Sequence, residues 1–168
     1  MNKQLPEPWL RGTLAEIAPT QRAVLHALEA AKEDLERWCS SLTEEQLNAR
    51  PAGIPPVAFH IRHIARSSDR LLTYAEGQQL SEQQLAALKT ELDPGATAQS
   101  LFDELNPALA DAAVRVRAFH ADQLNDARHV GKKQLPTTVA GLLVHVADHT
   151  QRHVGQAITT AKIVTAGQ

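Results

Sequence analysis

The chain of 168 residues is long enough to bury a hydrophobic core without disulfides, and its 43% apolar and 21% charged residues exclude a disordered protein. A net charge of −2 and the lack of an 18-residue apolar stretch argue against partners that are nucleic acids or membranes. The N-terminal MNKQLPEPWLRGT has no signal-peptide apolar region, so we expect a cytoplasmic location.

Composition also favours helix over sheet. Only 4% of the residues are aromatic and eight are glycine, whereas Ala, Leu, Glu and Gln are frequent. Cys39 is the only cysteine, which excludes an internal disulfide and a zinc site built from several thiolates. Its ERWCSSL context, near the end of a predicted helix, indicates a structural thiol.

The first half of the chain predicts two long helices joined by a proline-rich connector. Apolar residues recur at intervals of three and four from about Leu14 to Leu42. The connector LTEEQLNARPAGIPP places Thr43 as a cap and contains three prolines, which no long helix would hold. A second amphipathic helix then spans about 56–76 and stops at Gly77.

The second half predicts a short accessory helix followed by a third long helix. The accessory segment SEQQLAALKTEL is capped by Ser81 and ended by the DPG turn at 93–95. The third long helix runs from near Thr97 to Phe119. Pro107 lies inside it and should kink or divide it, because proline removes a backbone hydrogen bond.

The last long helix completes a predicted bundle. After a polar loop, Thr137 or Thr138 caps this helix, which continues to about Ile163. Four long amphipathic helices with one accessory helix predict an all-α protein with a four-helix bundle fold. We expect one domain over residues 1–168, with its core at about 14–163.

Three of the eight histidines lie in the single segment HVADHTQRHVGQ. His145, His149 and His153 are spaced at i, i+4 and i+8, so the outer two lie roughly 12 Å apart along a helix. That separation is too large for one metal ion, whose imidazole ligands bind at about 2.0–2.1 Å. The chelating pair is either His145 with His149 or His149 with His153.

A third ligand is expected from another helix, since an open metal site usually has three protein ligands. The segment FHIRHIA in the second helix offers His60 and His63 at i and i+3, and bundles hold their metals between facing helices. The chain contains neither the Glu-x-x-His pairs of a di-iron bundle nor the H-E-x-x-H motif of a protease. No role is assigned to His26, His120 and His129.

The segments FHIRHIARSSDRLLTYAEG and GLLVHVADHTQRHVGQ together resemble the DinB-like superfamily. The resemblance covers about 14–163, and HTQRHVGQ is its most specific part. It implies a four-helix bundle in which three histidines hold a divalent metal ion, commonly zinc or nickel. By position, these ligands are His63, His149 and His153. The alternates, one turn before a proposed ligand, are His60 and His145.

The resemblance also implies a metal-dependent enzyme. We favour a thiol-dependent S-transferase with a low-molecular-weight thiol as cofactor over a metal-dependent hydrolase. The remaining alternative is a non-catalytic, stress-related module that binds a metal or a small molecule. We expect a small-molecule substrate and a homodimer.

Few other side chains near the motif suggest catalysis. Arg152 and Gln156 are the candidate catalytic residues, and no glutamate lies beside the motif as a general base. Asp69 could supply a carboxylate partner to His63 only if the bundle brings another helical turn close, which the sequence does not show. Asp148 is expected to face solvent or a neighbouring helix, since it lies about 100° around the helix from the next residue.

Overall fold

The computed structural model describes residues 5–166, so the predicted domain of 1–168 extends beyond the described residues at both ends. Helices dominate this part of the chain, and the predicted all-α class is confirmed. The helices and strands are α1 (Pro19–Cys39), α2 (Glu44–Asn48), α3 (Val57–Ala75), α4 (Glu82–Lys89), α5 (Ala98–Ala118), β1 (Ala127–Val130), β2 (Leu135–Thr138) and α6 (Val139–Thr165).

The four long helices α1, α3, α5 and α6 pack around one core. Helix α6 lies against α3 and α1, and α5 lies against α3 and α1 from the other side. Leu35, Ile61, Leu105 and Leu143 come from the four different helices, and each is 0% exposed. Their three- and four-residue spacing from other buried residues forms the apolar stripe that a bundle requires, and the predicted four-helix bundle is confirmed.

Several helices begin at the hydroxyl residues that the sequence indicates. The side chains of Thr43, Ser81, Thr97 and Thr138 each accept a hydrogen bond from the backbone N–H three residues later. Such a cap contributes about 1 kcal/mol to helix stability. Of the two caps considered for the last helix, the structure uses Thr138.

The first helix is shorter than predicted. It begins at Pro19, which follows the extended residue Ala18, as is typical of a proline at the first helical position. Leu14 has a φ of +59°, in the left-handed region, and so lies outside the helix. It ends at Cys39, which is 0% exposed. Burial raises the pKa of the Cys39 thiol to about 12, as expected for a structural thiol.

Pro107 does not divide the third long helix, because α5 continues without a break from Ala98 to Ala118. The proline lies on the exposed face of α5, where water can satisfy the backbone group that loses its partner. Leu105 and Leu109, on either side, are buried in the core and hold the helix in place.

The predicted polar loop before α6 contains a β-hairpin that the sequence did not indicate. Strands β1 and β2 pair antiparallel, and the turn between them includes Gly131 and Gln134 with φ of +69° and +49°. Arg128 on β1 donates to the carbonyl of Ala75 at 2.7 Å, which ties the hairpin to the end of α3. Four-residue strands are too short to show a clear alternation of apolar residues.

Among residues 5–166, no helix is both long enough and apolar enough to cross a bilayer.

Substitution of Leu143 tests the register in which α6 faces the core. Leu143→Ala should lower the free energy of unfolding by about 2–5 kcal/mol, because it leaves a cavity in the core. The adjacent Val144 is 56% exposed, so Val144→Ala should change it by no more than about 0.5 kcal/mol. Urea unfolding measures both values, and equal losses would contradict this packing.

Candidate metal centre

The packing of α3 against α6 brings three of the predicted histidines together. His63 on α3 and His149 and His153 on α6 each offer one ring nitrogen, and these nitrogens all lie within 4.8 Å of one another. The Nε2 atoms of His63 and His149 are 2.8 Å apart. Ligands of one transition-metal ion sit about 2.0–2.1 Å from it, so a small adjustment of these rings would accommodate an ion.

The helical spacing explains why His149 and His153 share this cluster. They lie three residues after Val146 and Thr150, which are 0% and 1% exposed. Residues three apart are neighbours on a helix surface, so both histidines flank the buried stripe of α6. Each is half-buried.

His145 lies outside the cluster. Its side chain is 44% exposed, and its Nδ1 is 3.3 Å from a carboxylate oxygen of Asp148. Its ring centroid is 5.2 Å from that of His149. Of the two chelating pairs that the spacing left open, the structure therefore groups His149 and His153 with His63.

His60 is also outside the three-nitrogen group but touches one of its members. It is 3% exposed, and its Nδ1 lies 3.0 Å from Nδ1 of His153. One of these two nitrogens must donate to the other. When His153 donates, its Nε2 keeps a free lone pair for an ion, and His60 holds the ring in place.

Glu91 supports the cluster from behind His63. Its Oε2 accepts from Nδ1 of His63 at 2.7 Å, and its Oε1 accepts from Arg70 at 2.8 Å. Burial raises the pKa of Glu91, but the hydrogen bonds from His63 and Arg70 lower it by more, so the carboxylate stays ionised. Since Nδ1 of His63 carries the donated proton, its Nε2 has the lone pair that faces His149.

Glu91, and not Asp69, is the carboxylate partner of His63. The Asp69 carboxylate accepts from Arg115 at 2.7 Å and from Gln84 at 2.7 Å, so the condition for a contact with His63 is not met. Glu91 follows α4 and lies 28 residues after His63. No helical spacing relates the two, because they lie in different elements of the fold.

Three imidazoles at the site, those of His60, His149 and His153, have lowered pKa values and stay unprotonated near neutral pH. Burial, reinforced by the neighbouring His63, lowers the pKa of His60 and His149 to about 4 and that of His153 to about 3. Neutral imidazoles are the ligand form that zinc, nickel and related divalent ions require. The donor set therefore fits a transition-metal ion.

The Nδ1 of His149 is buried and has no hydrogen-bond partner among the described residues. The polar contact of this ring runs through Nε2, toward His63. The orientation of His149 is therefore set by the cluster itself and not by a supporting carboxylate or carbonyl behind it.

The candidate catalytic residues lie beside the cluster. The Arg152 side chain is 57% exposed and 3.3 Å from Asp148, which is 48% exposed, as expected for a solvent-facing residue. Arg152 and Gln156 both line an open groove that His60 also borders. Neither contacts the three clustered imidazoles through a hydrogen bond in the described part of the chain.

The depressed histidine pKa values predict a loss of stability in mild acid. His60, His149 and His153 titrate at about 3–4 when folded, below their ordinary value of 6.5, so the unfolded chain binds protons first as the pH falls. In chelator-treated protein, the free energy of unfolding should decrease from about pH 6.5 down to about pH 4.

Urea unfolding at several pH values checks this prediction. Between about pH 7 and pH 5 most carboxylates remain ionised, so the histidines dominate the change. A His153→Asn variant lacks one of the depressed groups and should show a shallower decrease. A free energy of unfolding that is constant over this range would contradict the interpretation.

The comparison with known proteins identifies the family. The family model of the DinB superfamily matches residues 27–157. None of the curated proteins compared with the chain matches it. The matched region runs from within α1 to within α6 and includes His63, His149 and His153. Because the match covers well over half of the chain, the protein belongs to the DinB superfamily.

Proposed function

We propose that the protein is a divalent-metal-dependent enzyme that acts on a small molecule, with His63, His149 and His153 as the ligands of zinc or nickel. The observation that carries the proposal is the group of three ring nitrogens within 4.8 Å of one another. Bundles place metals between facing helices, and three protein ligands leave a position open for a reactant. The two supporting contacts, from Glu91 and His60, add to it.

The reaction that we favour is the transfer of a low-molecular-weight thiol to an electrophilic substrate. A divalent ion held by neutral imidazoles supplies the positive charge that lowers the pKa of a bound thiol or water. The thiol must come from outside the chain, because Cys39 is the only cysteine and is fully buried with a raised pKa. In the transfer, the thiol would release its proton to solvent, the sulfur lone pair would form the bond to carbon, and the leaving group would depart with its electron pair.

The arrangement of carboxylates supports a thiol more than a water. Glu91 uses one oxygen for His63 and the other for Arg70, so it is not available as a general base. A thiol ionises at about pH 8.5 even when free, whereas activation of water demands a much larger drop in pKa. A thiol substrate therefore needs no separate base at this site.

A metal-dependent hydrolase is the second candidate, and one contact favours it. His145 and Asp148 form a pair at 3.3 Å, one helical turn from His149. A histidine that is held by a carboxylate is a common general base. Zinc-loaded protein separates the reactions: turnover of an electrophile only with added thiol supports the transferase, and thiol-independent ester cleavage that is lost in His145→Gln supports the hydrolase.

Metal content is the first test of the proposal. Protein purified without an affinity tag should contain about one zinc, nickel or iron ion per chain by elemental analysis, as expected for one three-ligand site. His63→Ala, His149→Ala and His153→Ala should each lose it. His129→Ala is the matched control, because His129 is exposed on β1, away from the cluster.

The outcomes are distinct. If wild type and variants alike contain no metal, and none binds on titration, the metalloenzyme proposal fails. If metal is bound but neither transfer nor hydrolysis occurs, the protein is a metal-binding module.

Glu91 provides a second prediction about the same site. Glu91→Gln keeps the shape of the side chain but removes the charge that holds His63 and pairs with Arg70, so zinc affinity should fall about 10–100-fold. Glu104→Gln is the control, because Glu104 pairs with Arg66 and touches none of the clustered histidines. Competition with a coloured chelator measures both affinities, and equal losses in the two variants would remove Glu91 from the site.

A further inference from the structure

An open groove of about 440 Å³ lies next to the histidine cluster, between α6 and the segment that leads into α3. Its volume is within the range of small-molecule sites. One wall is formed by Ile54 and Pro55, and the other by Arg152, Gly155 and Gln156 of α6. His60 also lines it, and the same residue contacts His153, so one imidazole links the groove to the cluster.

Gly155 on the α6 wall has no structural reason to be glycine. It lies in the interior of a 27-residue helix, where glycine is less stable than alanine. A Cβ atom placed on it would meet no other atom within 4 Å. No close packing contact therefore forces this position to lack a side chain. The space that it leaves open is the groove itself.

The turn that leads to the opposite wall contains an unfavourable backbone conformation. Ala52 has φ of +51° and ψ of +25°, in the left-handed region that L-residues other than glycine seldom adopt. This turn precedes Ile54, which is left 37% exposed at the groove. Unfavourable backbone conformations that are not offset by extra packing contacts are concentrated at functional sites.

The side chains that line the groove favour a ligand with one negatively charged group and an apolar part. Arg152 is the one Lys, Arg, Asp or Glu side chain that lines it within residues 5–166. Its ion pair with Asp148 is solvent-exposed and therefore weak, which leaves the guanidinium free to bind a ligand. A guanidinium binds a carboxylate through two parallel hydrogen bonds, while Ile54 and Pro55 offer an apolar surface.

We propose that this groove binds a small carboxylate-bearing molecule, with the carboxylate on Arg152 and the apolar part between Gly155 and Ile54. The assignment of that molecule as the substrate rests on the proposed metal-dependent function. The binding itself does not, because the groove is formed by side chains that are not among the three proposed ligands.

The test uses benzoate, phenylacetate and hexanoate beside their uncharged amides. Binding is followed by the amide NMR shifts of groove residues, in zinc-loaded and in metal-free protein. Arg152→Gln should weaken the carboxylates about tenfold, the loss expected for a charged hydrogen-bonding partner, and should leave the amides unchanged. Arg117→Gln is the matched control, an exposed helical arginine on α5 whose side chain donates to the carbonyl of Ala113.

Gly155 supplies a variant that separates binding from folding. Gly155→Ala should raise Tm by about 2–4 °C, because alanine is the better helix former. Gly155→Leu should fill the groove and abolish carboxylate and amide binding without lowering Tm.

The proposal is overturned if no carboxylate shifts the groove residues, if Gly155→Leu still binds them, or if Arg117→Gln weakens binding as much as Arg152→Gln. Carboxylate binding in a protein that never takes up metal would support the groove proposal and reject the metalloenzyme proposal. Metal uptake without carboxylate binding would reject the groove proposal and leave the metalloenzyme proposal intact.

Discussion

The contact between α3 and α6 is the constraint on which the rest of the structure depends. Ile61 and Ile64 on α3 and Leu143 and Val146 on α6 are all 0% exposed, and the four are fixed by the hydrophobic effect. The packing of these aliphatic residues fixes the positions of the histidines beside them on the same helices. The register that buries the aliphatic residues is therefore the register that sets His63 opposite the two imidazoles of α6.

A buried polar network beside this contact holds His63 in position. Glu91 is 4% exposed, and its two oxygens are shared between His63 and Arg70, which is 8% exposed. A buried ion pair contributes little net stability, because desolvation of both charges offsets their attraction. Its effect here is to fix one tautomer and one orientation of His63, so that Nε2 points to the cluster.

Patterns that repeat along one helix can be predicted from the sequence, whereas contacts between residues far apart in the sequence cannot. The apolar stripes of four helices are local patterns, so the bundle could be recognised from them. The spacing of the histidines left two chelating pairs open, and the resemblance to the DinB-like superfamily pointed to His149 and His153 with His63, the group that the structure brings together. Glu91 reaches His63 only after the turn that follows α4 is folded, and no interval records that. The sequence also missed the left-handed conformation of Leu14 and the short hairpin before α6. Single left-handed residues and four-residue strands are too short to produce a periodic pattern of apolar residues.

The charges around the cluster favour anionic ligands both at the proposed metal site and in the groove. The imidazoles of His149 and His153 are neutral, and the charge of Glu91 is balanced by Arg70. The protein thus offers no net negative charge to neutralise a divalent ion, whose charge would be felt by any nearby reactant in a partly desolvated site. Arg152, at the edge of the groove, adds to the same sign. Anionic reactants, a thiolate or a carboxylate, are the class that such a field would attract and hold.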